Sequence, residues 1–259
     1  MRIGVCADIE KARIIKERGI EGIDYIEENM SNMLALSDRE FAGRQREYEK
    51  LALPVYSFNV FFSSEIPIYS DEFLRDAKEY GRKAFSRAVA LGGELCVVGS
   101  GKARNIPDES KRAFCEKRFE NILTILGEEA DRYGIKLAVE PLNKGETNFI
   151  NSVVEGADMA KRVGLACVGS LVDFYHFFKE SESDEALLGI GDSIIHSHIA
   201  APDVLKRMPE ERDLPTIEHW AGLLKRIGFT KTISIECRYT DFGEEMIEKL
   251  KYLEPFRKL

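Results

Sequence analysis

Eight short runs rich in β-branched residues recur along the chain, and what lies between them sets the fold. The runs are Ile3–Ala7, Gly22–Ile26, Pro54–Asn59, Leu95–Gly99, Leu137–Leu142, Cys167–Asp173, Ile194–Ala200 and Thr232–Cys237. Between them apolar residues return at intervals of three and four, as in Phe73, Ala77, Tyr80, Ala84, Ala88 and Leu91, or Cys115, Phe119, Ile122, Leu126 and Ala130. That spacing lines one face of an α-helix. Start signals agree: Ser37-Asp38-Arg39-Glu40 has the capping-box pattern, and Pro107-Asp108-Glu109 suits a first helical turn. Eight units in 259 residues average about 32 residues each, the size of a strand with its return helix. Strands alternating with helices build a parallel sheet, and eight of them close it. The expected fold is therefore α/β, a single (β/α)8 barrel spanning residues 1–259. An open doubly wound sheet would carry a glycine-rich phosphate turn after its first strand, where this chain reads Ala7-Asp8-Ile9-Glu10.

Charge narrows the partners. The formal net charge is −8, which disfavours generic binding to nucleic acid or to an anionic membrane. No apolar run approaches the ~20 residues of a membrane span. Asp8 and Glu10 arrive too early for a signal peptide, so the expected compartment is the cytoplasm. The five cysteines, Cys6, Cys96, Cys115, Cys167 and Cys237, are dispersed without a CxxC pair and read as free thiols.

A barrel of this kind places its active site at the C-terminal ends of its strands. Runs five to eight close with ionisable residues: Glu140 in Val139-Glu140-Pro141, Asp173 in Leu171-Val172-Asp173, His198 in His196-Ser197-His198, and Glu236 in Ile235-Glu236-Cys237. Three carboxylates converging on one mouth repel unless something neutralises them, and a divalent cation does so. Three carboxylates and one imidazole suit Mn²⁺, Mg²⁺ or Co²⁺, with Zn²⁺ also admitted. His196 shares a strand face with His198 and is expected one layer lower, in the core; His219 is expected at the surface. After run four, the stretch Gly99–Pro107 offers Lys102 or Arg104 to a phosphate or to sugar hydroxyls, or is a solvated turn. Phe58, Phe61 and Phe62 follow run three and either wall the pocket or pack in the core.

These segments, above all Val98–Pro107, Val139–Asn148, Val172–His176 and His196–Ile199, resemble the xylose-isomerase-like barrel superfamily of sugar-phosphate isomerases and epimerases. Within it the chain resembles ketose 3-epimerases and hydroxypyruvate isomerases. The resemblance implies that Glu140, Asp173, His198 and Glu236 bind one metal ion and that Glu140 and Glu236 exchange protons with substrate. It further implies that Glu146 and His176 contact the substrate. One departure stands out. Those epimerases carry a Glu three residues and an Arg six residues after the strand-seven His, where this chain has Ala201 and Val204. Arg207 or Arg212, on a longer loop, is left to take the Arg's place.

The expected function is a divalent-metal-dependent isomerase or epimerase of a ketose or related sugar, phosphorylated or not, working through an enediolate with two Glu as acid and base. The competing readings are a lyase that dehydrates a keto-inositol on the same metal site, and a metal- or sugar-binding barrel without catalysis. A nuclease of the endonuclease IV type needs extra His ligands from earlier strands, and this chain has none before His176. The expected partner is a small sugar, with no nucleic acid or membrane; self-association into a homo-oligomer stays open.

Overall fold

All eight runs pair in parallel with their neighbours in the computed structural model, which describes residues 1–259. The strands are β1 (Arg2–Cys6), β2 (Tyr25–Asn29), β3 (Val55–Asn59), β4 (Leu95–Val98), β5 (Lys136–Val139), β6 (Val168–Asp173), β7 (Ile194–Ile199) and β8 (Thr232–Ile235). They follow one another in sequence order, and β1 closes the circle against β8 with Ile3 opposite Ile233 and Val5 opposite Ile235. The second strand begins later than its β-branched run suggested. Gly22 sits at φ +93° and belongs to the turn before the strand, so β2 runs on through Glu27 and Glu28.

The helices form where their caps and apolar stripes place them. Ser37 and Glu40 complete a reciprocal capping box at the head of the helix Asp38–Leu51. Asp108 caps the short turn that leads into the helix Arg112–Arg132. The helix Asp71–Ala90 turns Phe73, Ala77, Ala84, Phe85 and Ala88 onto the barrel and keeps Asp71 and Glu72 in its first turn, where the helix dipole favours negative charge. No helix is long and apolar enough to cross a membrane.

Strand residues alternate between two environments. Cys96, Val98, Leu137, Val139 and Val172 face outward into the large core shared with the helices. Their neighbours Leu95, Val97, Ala138 and Leu171 form a separate small cluster on the inner face. The same period of two carries inward from Ala138 to Glu140, from Leu171 to Asp173, from His196 to His198 and from Ser234 to Glu236. Four polar side chains from four adjacent strand ends therefore point to one axis. Phe58, Phe61 and Phe62 are fully buried; Phe61 and Phe62 pack with Tyr80, and Phe58 lies in the same core, so these rings do not line the mouth.

Candidate functional site

Glu140 stands one residue past β5, Asp173 ends β6, His198 is the penultimate residue of β7, and Glu236 stands one residue past β8. One donor atom from each falls within 4.8 Å of the others. His198 Nδ1 lies 2.9 Å from Glu140 Oε1, 3.4 Å from Glu236 Oε2 and 3.9 Å from Asp173 Oδ2. Asp173 Oδ1 accepts from the backbone N–H groups of Tyr175 and His176, while its Oδ2 is buried with no hydrogen-bond partner. Gly99 makes room for the cluster: a Cβ there would stand 2.0 Å from Glu140 Oε2.

Beneath this set lies a second polar layer, and its centre is Glu27, a residue that no sequence signal marked. Glu27, on β2, is buried inside the barrel. Its Oε1 accepts from His198 Nε2 at 2.8 Å; its Oε2 accepts from His196 Nε2 at 2.9 Å and from the hydroxyls of Ser57 and Ser234 at 2.7 Å each. Ser234 has spent its proton on Glu27, so Tyr25 Oη donates to it at 2.9 Å. His196 Nδ1 meets the Thr232 hydroxyl at 2.9 Å, so His196 packs as a lower-layer residue and not as a ligand. Every polar atom of this layer is matched. The consequence for His198 is orientation: with Nε2–H committed to Glu27, Nδ1 is the nitrogen turned to the three carboxylates.

The two layers hold protons differently. Burial would lift the Glu27 carboxyl, but His198 and His196 outweigh it and keep it well below the usual carboxylate range. Burial likewise opposes charge on His198, yet Glu27 and Glu140 hold it well above the usual imidazole range. His196 goes the other way, pulled down by burial. In the upper layer burial pushes Glu140 up, whereas for Glu236 burial is outweighed by Lys206 and His198, which keep it low.

Around the cluster runs a short hydrogen-bond chain. Asn143, just after β5, offers its backbone N–H at 3.2 Å and its side-chain N–H at 2.7 Å to His176 Nδ1. Two donors facing Nδ1 make it the acceptor, so the ring proton sits on Nε2. That Nε2 is buried, makes no hydrogen bond and lies 3.5 Å from Asp173 Oδ2. The same Asn143 amide donates to Glu146 Oε1 at 2.9 Å, and Glu146 is itself exposed. Asn143 thus ties Glu146 and His176 into one rim, a role its place in Leu142-Asn143-Lys144 did not announce.

Three arginines singled out from the sequence are placed elsewhere. Arg104 is fully buried, because the short helix Gly101–Arg104 folds it under the loop; its guanidinium donates to the carbonyls of Val98 and Ile150. Burial lowers it to about 10. It staples the loops after β4 and β5 and does not open to the mouth. Lys102 is exposed on the outer side of the same turn. Arg207 is clamped by both oxygens of Asp213, at 2.7 and 3.0 Å, and by Asp203 at 2.5 Å. Arg212 lies exposed on the surface beside Glu210. The cation that does enter the site is Lys206, the residue before Arg207, whose Nζ sits 2.5 Å from Glu236 Oε2 and 3.6 Å from Asp173 Oδ2. A lysine in a loop carries no sequence signal for such a position. His219 pairs with Asp184 at the surface.

Residues 12–256 match the family model described as the xylose isomerase-like TIM barrel. The chain belongs to that family. It is 26% identical over 120 residues to a probable ketose 3-epimerase of Synechocystis, an alignment covering 46% of this chain and 41% of that protein. The alignment therefore spans about two fifths of that relative's length. It is 26% identical over 203 residues to 3-dehydro-D-guloside 4-epimerase of Escherichia coli, covering 74% of this chain and 73% of that one. Among solved structures, 3-keto-D-glucoside 4-epimerase from E. coli superposes with a TM-score of 0.78 at 20% identity, covering 98% of this chain and 99% of that one. The IolI protein, solved with a bound zinc atom, superposes with a TM-score of 0.75 at 16% identity, covering 99% and 96%. Both structures share the fold, and the named enzymes among these relatives are sugar epimerases.

Proposed function

We propose that this chain is a sugar epimerase or isomerase that works with one divalent metal ion on a ketose or a related keto-sugar. The observation that carries the reading is the convergence of Glu140, Asp173, His198 and Glu236, from four adjacent strands, with donor atoms within 4.8 Å of one another. The residues fit a cation on grounds beyond proximity. Asp173 Oδ2 is buried and accepts no hydrogen bond, and the Glu27 bond aims His198 Nδ1 at the carboxylates. Three oxygen donors and one imidazole suit Mn²⁺, Mg²⁺ or Co²⁺ and admit Zn²⁺.

A divalent ion held there supplies Lewis acidity toward a substrate carbonyl and its neighbouring hydroxyl. Glu140 and Glu236 come from opposite neighbours of the β6–β7 pair. One removes the proton from the carbon beside the carbonyl. The other returns a proton from the opposite face in epimerisation, or to the adjacent carbon in isomerisation. His176 directs its Nε2–H to a substrate oxygen, and Glu146 accepts from a hydroxyl at the rim; Asn143 holds both in place. The relatives' substrates, ketoses and keto-glycosides, set the first panel to try.

The test is turnover in D₂O. Metal-loaded protein is incubated with D-psicose, D-fructose, 3-keto-glucosides and a keto-inositol, and products are read by NMR and mass spectrometry. The expected result is an epimer or isomer carrying deuterium at the carbon attacked. Loss of water from a keto-inositol would replace this reading with the lyase. An unchanged panel with no deuterium uptake would leave a binding barrel.

A further inference from the structure

We propose that Lys206 is an internal counter-cation of the carboxylate cluster, holding Glu236 and Asp173 when no metal is bound and leaving them when a divalent ion enters. The inference rests on the metal reading above and adds a residue that competes with the ion. The contacts identify the competition. Lys206 Nζ faces Glu236 Oε2 and Asp173 Oδ2, the same two oxygens that face His198 Nδ1 at 3.4 and 3.9 Å. An ammonium and a metal ion drawn to those same atoms repel each other. Three carboxylates crowded on one imidazole nitrogen repel, and the lysine offsets part of that repulsion from within the chain.

The loop is built to deliver this side chain. Lys206 has φ +55°, a left-handed conformation that a lysine rarely adopts. Its neighbours Val204 and Leu205 are exposed, while the Lys206 side chain is only 14% exposed and lies over the Tyr175 ring, Nζ 5.1 Å from the centroid. The turn is anchored at Lys206 and on its C-terminal side. The Lys206 carbonyl accepts from Arg238 N at 2.7 Å, the Arg207 carbonyl accepts from Ala201 N at 2.9 Å, and the Arg207 guanidinium is clamped by Asp213. With the backbone tied at Lys206 and Arg207, the four-carbon stem is the part of Lys206 that can swing. A lysine suits that task, since its ammonium is a point charge on a flexible stem and not a planar fork that locks onto carboxylate.

The experiment is Mn²⁺ titration by calorimetry of metal-stripped wild type, Lys206→Met and Lys206→Gln, with thermal unfolding of each protein with and without Mn²⁺. Both variants are expected to bind Mn²⁺ at least tenfold more tightly than wild type. Without metal they are expected to melt below wild type, and saturating Mn²⁺ is expected to narrow that gap. Equal or weaker Mn²⁺ affinity in both variants overturns the counter-cation while leaving the metal site standing. Absence of binding in all three proteins, repeated with Mg²⁺, Co²⁺ and Zn²⁺, removes the metal reading and the proposal with it.

Discussion

Two clusters of carboxylate and imidazole share one residue, His198, and they differ in how far their bonding capacity is met. Below it, Glu27 is saturated by His196, His198, Ser57 and Ser234. Above it, Glu140, Asp173 and Glu236 crowd the other ring nitrogen, and Asp173 Oδ2 accepts no hydrogen bond. Both join buried carboxylate to imidazole. A matched buried network supports the fold, and a mismatched one is poised for a ligand. Charge and burial alone do not tell them apart; the accounting of lone pairs and protons does.

Substituting one carboxylate in each layer separates the two most directly. Asp173→Ala is expected to lose stoichiometric divalent metal and to cut turnover by about 10³-fold or more, since both binding and proton transfer fail. Its stability without metal should fall by only about 1 kcal/mol, because relief of repulsion offsets part of the lost cap on the Tyr175 and His176 N–H groups. Elemental analysis, kinetics and circular dichroism check this, and a variant with full metal content would remove Asp173 from the site. Glu27→Ala is expected to do the reverse: about 3–5 kcal/mol of stability lost in urea unfolding, because His198 and His196 are left facing an emptied pocket. Metal affinity should fall only about 10–100-fold, through loss of His198 orientation. A Glu27→Ala protein as stable as wild type would mean that the lower layer does not support the fold.

The rim supplies an intermediate case. Glu146→Gln and His176→Asn should keep the metal and the fold yet lower turnover by about 10²-fold, as expected of groups that orient substrate. Wild-type rates in both would return them to a structural role.

The smallest effect comes from a carboxylate outside both layers. Glu182 accepts from Val153 N at 2.8 Å, and burial raises it to about 7. Unlike Glu27, it has no cation in contact: the pull of Lys144 does not offset its burial, and Glu155 and Glu180 add to the rise. Its folded value lies above the ordinary 4.5, so the folded state favours the protonated form. Stability from this group is full below about pH 4.5 and is lost as the pH rises toward 7. The side chain is partly exposed, so solvent screening reduces the effect to about 1 kcal/mol. Urea unfolding at pH 5 and pH 8 should show wild type losing that much more than Glu182→Gln; equal losses would contradict it.

Much of the upper layer is legible in the sequence, for an identifiable reason. Glu140, Asp173, His198 and Glu236 each interrupt an apolar run at its C-terminal end, where a barrel must present them to its mouth. Glu27 escapes because the β-branched signal stops at Ile26, and the strand continues through Glu27 to Asn29 on the strength of its neighbours alone. Lys206 and Arg207 show the limit of loop reading. They are adjacent and both basic, and only the left-handed turn at Lys206 decides which one enters the site. Arg104 is misplaced by sequence reasoning for a similar cause: a four-residue helix turns its side chain inward, and no periodicity marks so short an element.

The closure of the barrel has a bearing on assembly. Glu27 and His198 are 171 positions apart, and the four donors above them stand on four different strands, the last of which meets β1. No short contiguous fragment of the chain contains the pocket, so nothing that binds there can act as a template for early folding. A ligand there would enter after the ring has shut, and would act by slowing the opening of the seam rather than by speeding its formation.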